Sequence, residues 1–155
     1  MKIFYKKGIT IIEVLIILAV IVVLISVVLF QFSKSREQQV LKNAVADSLS
    51  SINKARTQTL SSLNSSEYGV HFESDKVIIF KGTGFIPNTV DNEIINIVTP
   101  ANISNVTLDL VSDISGEMYF NRLYGVPSKT GMITISSNSF SKIITISASG
   151  SVSSD

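Results

Sequence analysis

From Ile9 to Phe32 almost every position is Ile, Val, Leu, Ala or Phe, so the chain begins with an unbroken apolar run rather than an alternating one. At ~1.5 Å of rise per residue, about 24 helical residues cover the ~30 Å hydrocarbon core of a bilayer, so the run predicts a helix long enough to span. Beyond it, Leu41, Val45, Leu49, Ile52, Leu60 and Leu63 recur at a spacing of three to four, with one gap around Arg56. That period marks one face of an amphipathic helix, and Lys42, Asp47, Asn53, Lys54 and Gln58 fill the opposite face. No Pro or Gly lies between Gly8 and Gly69, so both patterns belong to one expected helix from about Ile9 to about Leu63. Such a helix would measure on the order of 80 Å.

Asn64-Ser65-Ser66 ends the helical pattern, and the composition turns to Ser, Thr, Asn and β-branched residues. Tyr68 to Phe72 and Lys76 to Phe80 alternate with period two around Glu73-Ser74-Asp75, which predicts a hairpin. Gly82 to Asn92 reads as a loop, with Pro87-Asn88 as a turn. Further strands are expected at Glu93 to Val98, Asn105 to Val111, Glu117 to Phe120, Met132 to Ser136 and Lys142 to Ser147. The fold class is therefore α+β: a long N-terminal helix, transmembrane in its first half and amphipathic in its second, packed on a small antiparallel β-sheet head. The expected organisation is a spanning segment at 9–32, an amphipathic helix at 33–64 and an exported β-rich head at 65–155. The stripe Leu41, Val45, Leu49, Ile52, Leu60 and Leu63 is the expected contact between helix and head.

A chain of 155 residues leaves on the order of 100 beyond the span, enough for one modest core. A net charge of +1 argues against bulk duplex DNA as a partner. The chain has no cysteine, which removes disulfides, thiolate metal sites and cysteine nucleophiles. Lys2, Lys6 and Lys7 precede the span, and the positive-inside rule then holds the N-terminus in the cytoplasm and exports the rest. Gln31 to Arg36 lacks a small-x-small cleavage site, so a secretory signal peptide fits poorly. His71 is the single histidine and projects opposite to Val70 and Phe72, an exposed or partly covered position. The acids have no metal-ligand spacing, and no catalytic, cofactor or metal site is expected. Phe80, Phe85, Tyr119, Phe120, Tyr124 and Phe140 are expected chiefly in packing.

The exception inside the apolar run is Glu13, because an ionised side chain in a membrane segment costs roughly 2.5–3.5 kcal/mol unless it finds a partner. Lys6-Lys7-Gly8 followed by Ile9-Thr10-Ile11-Ile12-Glu13-Val14-Leu15 resembles the class III signal of type IV prepilins and pseudopilins. An ordinary uncleaved signal anchor explains the leader and span but not Gly8 and Glu13 at these positions. The resemblance implies a leader at 1–8, cleavage by a prepilin peptidase between Gly8 and Ile9, and N-methylation of Ile9. It gives Glu13 the role of setting register against the amine of a neighbouring subunit.

Tyr68-Gly69-Val70, Phe120-Asn121-Arg122 with Gly125 and Pro127, Gly131 to Ile135, and Ile144-Thr145-Ile146 before Gly150 are similar to H-type minor pseudopilins and FimT-like minor pilins. That likeness implies a lollipop-shaped structural subunit of a type IV pilus or a type II secretion pseudopilus. Its implied partners are other pilin or pseudopilin subunits, the prepilin peptidase, an assembly platform with its motor ATPase, and the bacterial cytoplasmic membrane. A pilus-associated binding module capturing DNA or another exported ligand is the competing class. Ser147 to Asp155 holds no Lys or Arg, which argues against nucleic acid.

Overall fold

The computed structural model describes residues 8–155, so Lys2, Lys6 and Lys7 of the expected leader lie outside the described residues. One α-helix, α1, spans Ile11–Leu60. The chain divides into two units, the first ending at Arg36 and the second covering Glu37–Asp155.

In the first unit α1 is apolar around its whole circumference. Its large apolar side chains from Ile11 to Leu29 are each 43–83% exposed. This segment is long and apolar enough to cross a membrane.

In the second unit α1 turns one face inward. Leu41, Val45, Ser48, Ile52, Ala55 and Thr59 are buried, a repeat of four, three, four, three and four. Of the expected contact stripe, Leu41, Val45 and Ile52 are core residues and Leu49 packs partly buried against them. Leu60 and Leu63 lie at the rim of that face, 48% and 43% exposed, with the Leu60 side chain against Gly125 of the β domain. The fully buried positions end at Thr59, α1 stops at Leu60, and Leu63 falls in the short 3₁₀ turn Leu63–Ser65. Left-handed φ values at Ser62, Asn64 and Ser65 reverse the chain.

The buried hydroxyls are tolerated because each bonds back to its own helix. Ser48 donates to the Ala44 carbonyl at 2.8 Å and Ser51 to that of Asp47 at 2.7 Å. Thr59 donates to the Ala55 carbonyl at 2.9 Å and accepts the Tyr68 N–H at 2.9 Å, tying the helix to the first strand. Arg56 fills the gap in the apolar stripe. Its guanidinium donates to the carbonyls of Gly125 and Ser149, both at 3.0 Å, and so holds two loops against the helix.

Nine strands follow: β1 Tyr68–Phe72, β2 Lys76–Lys81, β3 Glu93–Asn96, β4 Asn102–Leu108, β5 Val111–Asp113, β6 Gly116–Tyr119, β7 Gly131–Ser136, β8 Ser141–Ile146 and β9 Val152–Ser154. They form two sheets rather than the single one expected, ordered β3-β2-β1-β6 and β5-β4-β7-β8-β9, with every pairing antiparallel. The expected strand Asn105 to Val111 is broken by Asp109 and Leu110, both at positive φ, which turn β4 into β5. A leucine rarely takes that conformation, so no turn signal stands in the sequence. One core joins α1 to both sheets through Phe72, Phe120, Ile103, Ile133 and Ile144.

β2 is covered on both faces. Val77 and Ile79 belong to the central core, whereas Ile78 and Phe80 are equally buried on the other side, where Phe85 of the loop 82–92 meets Phe80 edge-on. Gly69 of β1 lies where a methyl group would fall 2.4 Å from the Phe80 ring and 2.5 Å from the Met118 carbonyl oxygen. Only glycine permits that approach. Gly69→Ala is expected to cost about 2 kcal/mol through overpacking, read as a lowered thermal midpoint of the strand signal, while Gly84→Ala, in open space, leaves it unchanged.

Candidate functional sites

Gly8, Ile9 and Thr10 precede the helix in non-helical backbone, and all three are exposed. The Thr10 hydroxyl accepts the Glu13 N–H at 3.3 Å, and the Thr10 carbonyl accepts the N–H groups of Glu13 and Val14 at 3.1 and 3.3 Å. Thr10 is thus the N-cap, and Glu13 stands at the third helical position, where the macrodipole favours a carboxylate. Thr10-Ile11-Ile12-Glu13 has the spacing of a capping box, a local signal that gives this acid a place in starting the helix.

A second cluster lies on the outer face of the first sheet, which sequence spacing did not reveal. His71 of β1 stacks on Phe85 with ring centroids 4.0 Å apart and planes 9° apart. Its Nε2 is 3.6 Å from a Glu73 carboxylate oxygen and its Nδ1 is 3.7 Å from Glu117. Glu117 also accepts the Phe85 N–H at 3.2 Å, and Lys76 pairs with Glu73 at 3.0 Å. Cross-strand register brings these distant residues together, because His71 sits opposite Glu117 on β6 and Ile78 on β2.

The two carboxylates face different ring nitrogens and do not converge on one point. Among the described residues no group of three or more His, Cys, Asp or Glu is placed to hold a metal ion. The cluster fastens an irregular loop to the sheet: Phe85 is held by its ring on one side and its N–H on the other. Of the remaining aromatics, Phe120 is in the core, Phe140 packs partly buried against it, Tyr119 is half-buried, and Tyr124 is 75% exposed.

Comparison with protein-family models, curated proteins and solved structures finds no match for this chain. The class that fold and site define is an α+β protein with one N-terminal helix apolar enough to cross a membrane and an antiparallel β domain.

Burial pushes the His71 pKa below its ordinary value. Glu73 and Glu117 pull it up and Lys76 pushes it further down, with burial the largest cause. A depressed value in the folded state means the neutral ring is the one the fold accepts. Its stabilising contribution is complete above about pH 6.5, the unfolded value, and is lost as pH falls through the folded one. Between pH 7 and 5 the wild-type chain should therefore lose stability relative to His71→Phe, which keeps the stack without a titrating group. Parallel thermal midpoints for the two proteins across that range would contradict the assignment.

Proposed function

We propose that this chain is a structural subunit of a type IV pilus or of a type II secretion pseudopilus. It is held in the bacterial cytoplasmic membrane with its N-terminus inside and its β domain exported. It is cut after Gly8, methylated on Ile9, and assembled through its N-terminal helix with other pilin or pseudopilin subunits by a platform and motor.

The observation that carries the reading is the first half of α1. It is apolar on every side, exposed along its length, and bears Glu13 as its one carboxylate, in the first turn. Lipid can cover such a surface, and so can the same surface of neighbouring copies. The Gly8–Ile9 bond lies in exposed, non-helical chain, where a peptidase can reach it without unwinding α1. Cleavage there leaves the Thr10 cap intact and puts a new amine four residues before Glu13. Within a bundle, the amine of one subunit neutralises the Glu13 of another, which removes the cost of an unpaired acid among apolar helices.

Mass spectrometry of the protein extracted from its native membrane should show a chain beginning at Ile9 and heavier by one methyl group. A chain still beginning at Met1 beside an active prepilin peptidase would contradict the proposal. Glu13→Ala should leave insertion and cleavage intact and abolish most filament assembly, measured as sheared or pelleted polymer. Filaments at wild-type yield would remove Glu13 from the mechanism.

A further inference from the structure

The edges of the first sheet differ. On the β6 side Ser128 covers Tyr119: its N–H donates to the Tyr119 carbonyl at 2.7 Å and its hydroxyl accepts the Tyr119 N–H at 3.0 Å. At the other side β3 pairs, among the described residues, only with β2. The Ile97 N–H bonds to the Asp75 carbonyl at 2.8 Å, which fixes the parity of this pairing. Glu93, Ile95 and Ile97 turn their main-chain groups toward β2, and Ile94 and Asn96 turn theirs outward.

Apolar side chains gather along this edge: Ile94 is 57% exposed, Val98 67%, Ile86 65% and Val90 fully. Beside Ile94 lies a recess of about 210 Å³ between the sheet and the loop, with Ile78, Phe85 and Pro87 among its walls. That volume is below the ~300–1,000 Å³ of ordinary small-molecule sites and suits a single side chain. The surrounding charge is negative. Glu93 pairs with Lys54 at 2.6 Å and Glu73 with Lys76 at 3.0 Å; Asp75 also acts on Lys76 electrostatically, and Asp91 adds a further negative charge, so four carboxylates outweigh these two lysines.

We propose that the outer edge of β3 docks an extended, cationic segment of a partner protein, which pairs with the main chain at Ile94 and Asn96 and seats one apolar side chain in the recess beside Ile94. The edge supplies main-chain hydrogen bonds, the recess selects an alternate side chain, and Asp75 and Asp91 select against acidic segments. This surface is independent of filament assembly, so its test can fail without touching that reading.

The experiment uses the full chain, nitrogen-15 labelled and held in lipid nanodiscs. It is titrated with an acetylated peptide alternating lysine with valine or leucine, and with a matched peptide carrying glutamate for lysine. The lysine peptide should bind saturably, shift the Ile94 and Asn96 amide signals, slow their hydrogen exchange, and weaken with added salt. Asn96→Pro removes an outward N–H, and Ile94→Lys alters the recess at an exposed position. Each should weaken binding roughly tenfold or more with the rest of the amide spectrum unchanged. Absent or non-saturable binding, equal binding of the glutamate peptide, shifts confined elsewhere, β3 pairing only with a second copy, or affinity unaffected by both substitutions would overturn the proposal.

Discussion

The first half of α1 must be covered by something other than this chain, and that requirement governs the rest. Leu15, Leu18, Leu24 and Leu29 are each more than half exposed, as are most of their Ile and Val neighbours. Fully burying one such side chain is worth roughly 1.5–3 kcal/mol, so a run of this length cannot stay in water. The surface is apolar all round, as in a helix surrounded by lipid or by other helices. Lipid and a bundle of like helices both satisfy it, and moving from one to the other exchanges one apolar surround for another.

The second half of the same helix solves the opposite problem. Alternating large and small residues, Leu41 and Val45 with Ala44, Ser48 and Ala55, form an inward face that meets both sheets. Ser48, Ser51 and Thr59 reach that face because their hydroxyls bond to carbonyls one turn back. Arg56 and Thr59 then fix loops and β1 against the helix with hydrogen bonds rather than apolar area. The bidentate Lys54 to Glu93 pair is exposed on both sides and adds about 0–1 kcal/mol.

What could be read from the chain followed period and punctuation. The helix, the β1–β2 hairpin around Glu73 to Asp75, and the irregular loop after Gly82 all have local signals, and all are present. The buried face ends at Thr59 and leaves Leu60 and Leu63 half-exposed, because a leucine counts as apolar whichever way it points, while Thr59 counts as polar though it is buried. The β4–β5 turn was hidden by the residue at its tip, Leu110. β9 was hidden in a serine-rich tail. Two sheets, and the meeting of His71 with Phe85 and Glu117, depend on long-range register, which periodicity within one strand does not encode. The Thr10 cap on the Glu13 N–H is a local feature, written in the four residues Thr10 to Glu13.

The absence of cysteine makes the central requirement directly measurable. Single cysteines at Leu18 and Val22 in the first half of α1, and at Asn43 on its exposed polar face, can be challenged in native membranes with a membrane-impermeant maleimide. Reaction at Asn43→Cys, protection at Leu18→Cys and Val22→Cys, and oxidative cross-links between copies through those two positions after assembly are the predicted results. Labelling of Leu18→Cys and Val22→Cys as rapid as that of Asn43→Cys, with no cross-linked species, would contradict the account.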